Sequence, residues 1–164
     1  MALPNKVLPG FSAALYAQPG ATPTPLTIAQ LSLVASVSPI AIVGNLIPVE
    51  AIPAFGMDDA VASFSVAGSR QSDKIPVQAA PTSMTITAAW NPADTNLLLM
   101  RADAYSGVID RTFVVSATEG ANIVYYAFNG RVGQFQIDAQ PGAEAKCTFT
   151  VHPRGNQYGW SNNA

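Results

Sequence analysis

Mainly β structure with a single α-helix is the fold class that this sequence predicts. Several short segments alternate apolar and polar residues with a period of two, which is the pattern of a strand with one buried face. Prolines, glycines and short polar turns separate these segments and would interrupt strands there. One stretch instead carries the capping residues and the spacing of a helix. Together these patterns predict a chain of short strands and one flanking helix.

The predicted strands place their larger apolar side chains on one face. In the clearest case, Ala145, Cys147, Phe149 and Val151 face inward and the residues between them face outward. The strands that follow the helix are expected to form an antiparallel meander. The segments are 11–17, 61–67, 84–90, 109–117, 123–128, 131–137 and 145–151.

Asn129 and Gly130 are predicted to join two of these strands. An Asn-Gly pair suits a two-residue type I′ turn, because both central residues of that turn have positive φ. Pro141 and Gly142 are expected to form the next turn. The sequence therefore predicts a hairpin on each side of the strand at 131–137.

The region before residue 57 is harder to assign. Residues 26–37 alternate imperfectly, so a strand is favoured there and a helix over 27–35 is the alternative. Prolines at 39, 48 and 53 exclude a central strand throughout the stretch that follows, because proline cannot donate to a ladder. We expect loops or edge strands there.

The predicted helix spans about residues 92–105. Asn91 is a suitable N-cap, Pro92 occupies the first helical position, and Asp94 favours the positive end of the helix. Gly107 stands just past the predicted end, where a C-cap residue is expected.

Charge is scarce and unevenly distributed in this chain. Charged residues make up 11% of the 164 residues, against a usual value of about 25%. No Asp, Glu, Lys or Arg lies in 7–49, and 49% of all residues are apolar. We expect a single domain over 1–155, whose apolar region at about 7–56 is covered by assembly, and a flexible C-terminal tail at 156–164.

Composition also excludes several classes of function. A net charge of −2 with scattered basic residues argues against a nucleic-acid-binding surface. Cys147 and His152 are the only residues of their types, and Asp58 and Asp59 are not followed by regularly spaced oxygen ligands. We therefore predict no catalytic residues, no cofactor and no metal site, and hence no enzyme.

Two other functions remain open at this stage. Residues 31–47 are apolar enough for a membrane span, although Pro39, Asn45 and the absence of flanking anchors count against one. A carbohydrate-binding or adhesin β-sandwich is the second alternative, because exposed aromatic rings can stack on sugars. Its candidate platforms are Trp90, Tyr125, Tyr126 and Trp160.

From Asp59 onward the order of parts resembles the tail tube proteins, or major tail proteins, of long-tailed, lambda-like bacteriophages. The stretch VASFSVA, a polar turn and DKIPVQAAPTSMTITAAW are similar to two family strands around a long inter-strand loop. WNPADTNLLLMRADAYSG is similar to the family's passage from strand to helix. RTFVVSATEGANIVYYAFNGRVGQFQIDAQPGAEAKCTFTV resembles its closing meander, with a Tyr-x-Phe-Asn-Gly hairpin at 126–130.

This resemblance implies two antiparallel sheets packed as a sandwich or barrel, one flanking helix, and extended N-terminal, loop and C-terminal arms. It also implies hexameric rings that stack into a hollow tube through which DNA passes without specific binding. The inner tube of a contractile tail or a related injection device is the nearest alternative.

The implied partners are further copies of the chain and the tape measure, tail tip and tail terminator proteins, without membrane insertion. The implied location is the virion tail, after synthesis in the host bacterial cytoplasm. The residues expected in contacts between subunits or rings are Leu26, Ile28, Leu31, Leu33, Ile40, Ile42, Val43, Leu46, Ile47, Tyr158 and Trp160.

Overall fold

The computed structural model describes residues 12–27, 45–65, 72–119 and 122–163. The predicted mainly β fold is confirmed, with one helix in these ranges. The sequence left open whether residues 27–35 form a strand or a helix, and residues 28–35 lie outside the described ranges. The elements are β1 (Ser12–Ala17), β2 (Asn45–Ile47), β3 (Val49–Ala51), β4 (Met57–Ser65), β5 (Ser72–Pro81), β6 (Met84–Ala89), α1 (Thr95–Ser106), β7 (Asp110–Glu119), β8 (Asn122–Asp138) and β9 (Lys146–Asn163).

Seven of the strands form one antiparallel sheet that curls into a half-barrel. Its strand order is β2-β1-β7-β8-β9-β6-β3, and β4 and β5 form a separate two-stranded sheet. The edge strands β2 and β3 are separated in sequence only by Pro48. Because neighbouring Cα atoms are about 3.8 Å apart, Pro48 brings the two edges of the sheet close together. The short strap at 45–51 therefore explains the curl.

The concave side of the sheet holds the main core. Met84, Ile86 and Ala88 of β6 are buried, and so are Cys147, Phe149 and Val151 of β9, which confirms the inward positions predicted from their alternation. Two residues of α1 complete this core from above the sheet, Leu97 and Met100. The other buried members are Leu15, Ala17, Ile47, Phe113, Val115, Phe128 and Val132.

Strand β7 is buried on both faces. Its Val114 joins Tyr125 and Ala127 in a second small cluster on the convex side, against which Leu26 packs. The same segment is fixed by polar contacts: the amide N–H of Leu26 donates to Thr112 Oγ1 at 2.9 Å. The chain between β1 and residue 27 thus covers the outer face of the sheet.

The Asn-Gly pair is not a hairpin turn, which corrects the sequence prediction. Asn129 and Gly130 lie within the continuous strand β8, which pairs with β7 on one side and β9 on the other. A Cβ atom on Gly130 would lie 3.1 Å from Val151 Cγ1 and 3.3 Å from the His152 carbonyl oxygen. Glycine is needed here for close packing between strands, and pairing along both edges outweighs the local turn preference.

The C-terminal residues also differ from the prediction of a flexible tail. Residues 156–163 continue strand β9 and pair with the first part of β8. The sequence GNQYGWSNN has no charge and little alternation, so its strand character comes from its partner rather than from its own pattern. Ala164 lies outside the described residues.

The helix begins three residues later than predicted. Asp94 is the N-cap, because its side chain accepts from the backbone N–H groups of Asn96 and Leu97. The Asn91 side chain instead accepts from the N–H of Ala93 at 2.9 Å and closes a turn that contains Pro92. Gly107 ends the helix as its C-cap with φ +65°, at the position that the sequence predicts.

A buried ion pair joins α1 to β7. Arg111 is fully buried and Asp103 is 3% exposed. Two parallel hydrogen bonds connect them, from Nε to Oδ2 at 2.6 Å and from Nη2 to Oδ1 at 2.9 Å. The remaining Arg111 Nη1 donates to the carbonyl oxygens of Gln18 and Gly20. One guanidinium therefore connects the helix, the sheet and the segment after β1.

Breaking this pair should strongly destabilise the fold. Asp103→Ala would leave the Arg111 charge buried without its carboxylate, and such changes cost about 3–5 kcal/mol in the free energy of unfolding. Arg154→Ala is the control, because Arg154 is 58% exposed and surface pairs contribute about 1 kcal/mol or less. Urea denaturation followed by circular dichroism measures both. Equal stabilities for the two variants would contradict the structural role of the buried pair.

The tight packing at Gly130 predicts a difference in thermal stability between two glycine-to-alanine variants. Gly130→Ala would press its new methyl group against the buried Val151 side chain and the His152 carbonyl oxygen of β9, at a cost of about 1–3 kcal/mol. In Gly133→Ala the nearest atom is His152 Nε2 at 3.2 Å, the end of an exposed side chain that can move away. Thermal unfolding should therefore show a clearly larger loss for Gly130→Ala, and the reverse order would exclude this explanation.

Candidate assembly surface

Beyond Val151, the outer edge of β9 is unpaired in the described part of the chain, and β5 lies close to β9 without forming a ladder with it. Strand β9 pairs with β6 only between Lys146 and Val151, but it pairs with β8 as far as Asn163. Beyond Val151, no described strand pairs with the side of β9 that faces away from β8. Residues 155–163 carry no charge that would repel an added strand. This edge is suited to hydrogen bonding with a strand of another chain.

Strands β4 and β5 form a long hairpin outside the main sheet. Their pairing runs from Met57↔Pro81 to Ser65↔Ser72, with one irregularity between Ala60 and Val61. Val61 is 54% exposed, although it is a large apolar residue within a strand. Because a two-stranded sheet is marginally stable alone in water, this hairpin gains most from packing on another surface.

The outer face of α1 exposes large apolar side chains beside Arg101. While Leu97 and Met100 face the core, Leu98, Tyr105 and the following Val108 are exposed. The Arg101 guanidinium carbon lies 5.5 Å from the centroid of the Tyr105 ring, a distance that permits a cation–π contact. We call Leu98, Arg101, Ala102, Tyr105 and Val108 the outer helix face.

A second apolar surface is concave. β1, β7, β8 and the segment after β3 enclose a groove whose described lining consists of aliphatic and aromatic residues. The rings of Phe55 and Tyr126 meet edge to face in it, with centroids 5.0 Å apart. We call this surface the apolar groove, and its lining includes Ala13, Ile52, Phe55, Ala117, Val124 and Tyr126.

The predicted contact residues are not gathered at one site. Leu46 is 50% exposed on the edge strand β2, whereas Leu26 is half-buried against the convex cluster. Tyr158 and Trp160 lie on β9, opposite Ala127 and Tyr125 of β8. Six of the predicted residues lie outside the described part of the chain: Ile28, Leu31, Leu33, Ile40, Ile42 and Val43.

Ile47 is a core residue, which corrects its assignment to an intersubunit contact. It is 1% exposed and belongs to the main core cluster. Ile47 pairs with Leu15 of β1, and this register turns it inward and leaves Leu46 outward. The uncharged stretch therefore supplies both core and surface, which composition alone does not separate.

The groups considered for chemistry occupy ordinary structural positions. Burial raises the pKa of the Cys147 thiol, so the thiol is protonated at neutral pH. His152 is exposed, and its Nδ1 lies 2.8 Å from Ser83 Oγ. Within the described ranges, no three His, Cys, Asp or Glu residues are grouped to hold a metal ion.

Three of the four aromatic candidates for sugar binding, Trp90, Tyr125 and Tyr126, pack within the protein. Tyr125 is 7% exposed, and Tyr126 contacts Phe55. Trp90 is half-buried and meets the Phe135 ring edge to face at 5.7 Å. No helix in the described part of the chain is long and apolar enough to cross a membrane.

Arg131 and Arg154 share one carboxylate. Asp110 accepts from Arg131 Nε at 2.8 Å and from Arg154 Nη1 at 2.7 Å. Arg131 also donates to the carbonyl oxygens of Gly107 and Val108, which fixes the chain after the helix. Partial burial acts to raise the pKa of Asp110, but the two arginines outweigh it and hold the pKa below its ordinary value of 3.8. At another edge, Glu50 raises the pKa of Lys146, with which it forms an ion pair.

The lowered pKa of Asp110 predicts a stability difference that depends on pH. A carboxyl group whose pKa falls on folding stabilises the protein above its unfolded pKa, and this contribution disappears as pH falls through the folded pKa. Asp110→Asn should therefore lower the unfolding free energy by about 1 kcal/mol near pH 7. Below about pH 4 the difference from wild type should shrink. Urea titrations at several pH values check this, with the exposed Asp138→Asn as control; a pH-independent difference would rule out the ionic contribution.

The whole fold is similar to chains from known tube assemblies. No protein-family model and no curated protein matches the sequence. A chain of the extended PVC sheath/tube terminator, from an extracellular contractile injection system, has a TM-score of 0.62 and 11% identity, and the match covers 96% of this chain and 99% of that chain.

Two further structures give similar values. A chain of the six-fold symmetrised baseplate of the anti-feeding prophage has a TM-score of 0.61 and 11% identity, with 97% of each chain covered. A chain of the SPP1 tail tube has a TM-score of 0.56 and 11% identity, covering 90% of this chain and 75% of that chain. At these identities the likeness is one of fold, and this chain has the fold seen in tail tube and terminator proteins of phage-like systems.

Proposed function

We propose that this protein is a non-enzymatic structural subunit of a bacteriophage tail tube, as in lambda-like tails. Its copies form hexameric rings, and the rings stack into a hollow tube through which DNA passes during ejection. The observation that carries this proposal is the unpaired, uncharged edge of β9 on a fold that matches tube chains over nearly its whole length. An edge of this kind is an aggregation hazard unless a neighbouring chain covers it.

The distribution of charge supports passage of DNA without binding. Arg111 pairs with the buried Asp103, and Arg131 and Arg154 share Asp110; with Lys146, four of the eight basic residues form ion pairs within the described part of the chain. Lys146 is paired with Glu50. Binding to phosphates requires free basic groups that displace counterions, and the net charge of −2 adds a weak repulsion.

The proposal extends to the partners and location of the tube. The apolar region at about 7–56, including the exposed Leu46, and the strand at 156–163 would contact neighbouring subunits or rings. Tape measure, tail tip and tail terminator proteins would bind the completed tube. The protein would be made in the bacterial cytoplasm and reside in the virion tail.

Termination of a tube, in a contractile tail or an injection device, is a second candidate function. The observation that favours it is the match to a chain of the PVC sheath/tube terminator, which covers 99% of that chain. A tube subunit has complementary contacts on both faces of its ring and continues to stack, whereas a terminator stops after one ring. Negative-stain images of the purified protein at high concentration distinguish long tubes, single rings and monomers.

A proline test addresses the β9 edge directly. Successive residues of a strand direct their N–H groups to opposite sides, so one of Ser161 and Asn162 directs its N–H away from β8. Among Ser161→Pro and Asn162→Pro, we expect one variant that keeps the thermal unfolding of wild type but fails to assemble. The matched alanine variants retain the N–H group and should assemble. If both proline variants form rings or tubes as well as wild type, the edge is not an intersubunit contact.

A further inference from the structure

The Asn-Gly pair in β8 belongs to a closed ring of three hydrogen bonds on the convex side of the sheet. The amide N–H of Leu26 donates to Thr112 Oγ1 at 2.9 Å, and Thr112 Oγ1 donates to Asn129 Oδ1 at 2.7 Å. Asn129 Nδ2 completes the ring by donating to the Leu26 carbonyl oxygen at 2.9 Å. Because that carbonyl oxygen can only accept, the amide nitrogen must face it. We call this ring the Leu26 latch.

The latch holds one end of residues 18–27 on the sheet. The other end is fixed by Arg111, which donates to the carbonyl oxygens of Gln18 and Gly20. At the latch, the backbone groups of Leu26 bond to side chains of β7 and β8, and Leu26 belongs to no described strand. Opening the latch would therefore free this end without unpairing the sheet. It would also uncover the convex cluster against which Leu26 packs, which consists of Val114, Tyr125 and Ala127.

Asn129 is the only asparagine that precedes a glycine in this sequence. We propose that it is a site of spontaneous deamidation that the closed latch protects, and that its conversion to an acid releases residues 18–27 irreversibly from the outer face. Asn-Gly pairs are the most reactive in this respect, because glycine has no side chain that hinders attack by its backbone nitrogen.

The reaction consumes water and releases ammonia. The Gly130 backbone nitrogen forms a bond with Asn129 Cγ and gives up its proton. The bond from Cγ to the amide nitrogen breaks, and that nitrogen leaves as ammonia with the proton. Water then opens the cyclic imide at either of its carbonyl carbons, which gives aspartate or isoaspartate.

The folded structure opposes the first step of this reaction. Bond formation makes Asn129 Cγ tetrahedral, so the group can no longer bridge Thr112 and Leu26 as a planar amide. The Gly130 nitrogen must also approach Cγ from within an extended strand that is paired with β7 and β9. Deamidation should therefore be slow in the folded protein and fast in an unfolded chain.

The acid cannot rebuild the latch. An ionised carboxylate only accepts, and the Leu26 carbonyl oxygen also only accepts, so a hydrogen bond is replaced by repulsion between two oxygens. Arg154 lies opposite Asn129 on β9, on the side of β8 away from Thr112, and would attract the new carboxylate away from Leu26. Isoaspartate would in addition insert a methylene group into the backbone of β8 and disturb its register.

A comparison of deamidation rates tests the protection. Wild-type protein is incubated in mildly alkaline buffer with and without concentrated urea, and conversion at each asparagine is followed by tandem mass spectrometry. Asn129 should convert at least about tenfold more slowly without urea. Asn122 is the internal control, because it lies in the same strand but precedes isoleucine, and it should convert slowly in both samples. Equal rates at Asn129 with and without urea would overturn the protection.

Hydrogen exchange of the Leu26 amide tests the release. In Asn129→Asp, this amide should exchange about tenfold faster or more than in wild type, whereas the buried Phe149 amide should keep its rate. Pro23 and Pro25 have no amide hydrogen, so mass spectrometry of a short peptide resolves the Leu26 signal. The control is Gln140→Glu, the same change of an amide to an acid at an exposed position. Wild-type protection of Leu26 in the folded Asn129→Asp protein would overturn the release.

Thr112→Val breaks the latch without adding a charge, which keeps the inference testable if Asn129→Asp does not fold. The variant removes the hydroxyl that joins Leu26 to Asn129. It should speed both hydrogen exchange at Leu26 and deamidation at Asn129 in the absence of urea. If a folded Thr112→Val protein keeps the wild-type rate of deamidation, the strand ladders alone protect Asn129, and the protective role of the latch is wrong.

Discussion

Arg111 and Asp103 hold together parts of the fold that strand ladders do not join. Strand pairing fixes the sheet, but α1 contacts it through side chains, and the segment after β1 has no ladder of its own. The guanidinium connects all three and uses most of its donors in doing so. Since a buried charge is costly unless it is paired and hydrogen-bonded, the position of the helix and the path of the chain over β7 depend on each other.

The sequence predicts elements well where the pattern is local. The alternations at 84–90 and 145–151, the C-cap at Gly107 and the single helix are all properties of neighbouring residues. The sequence mispredicts the structure where pairing with distant strands determines it. Asn129 and Gly130 suit a turn, yet pairing with β7 and β9 holds them within a strand. The strand at 156–163 has the same origin. In both places the decisive partner is more than 15 residues away in the sequence.

The predicted contact residues show the same contrast between local sequence patterns and distant strand pairing. The lack of charge indicates that much apolar surface is covered, but Ile47 is in the core and Leu46 beside it is exposed. Only the register with β1 separates the two. The sequence does contain a signal for the buried Asp103–Arg111 ion pair. Asp103 follows Met100 by three residues on the helix, and Arg111 precedes Phe113 by two on its strand, so both side chains share a face with a core residue. The outer helix face and the apolar groove could not be recognised before the inward faces of α1 and β7 were known.

The strap at 45–51 also sets an order for folding. Its two halves pair with β1 and β6, which belong to opposite ends of the sheet. The strap brings these two ends together only when both of its pairings coexist with the ladders of β7, β8 and β9. Strand β1 must itself pair with β7 across about 100 residues, and such distant pairing slows folding. A chain in which these pairings have not all formed would therefore have an open sheet with its two edges apart, and the pairing of the strap would complete the curl.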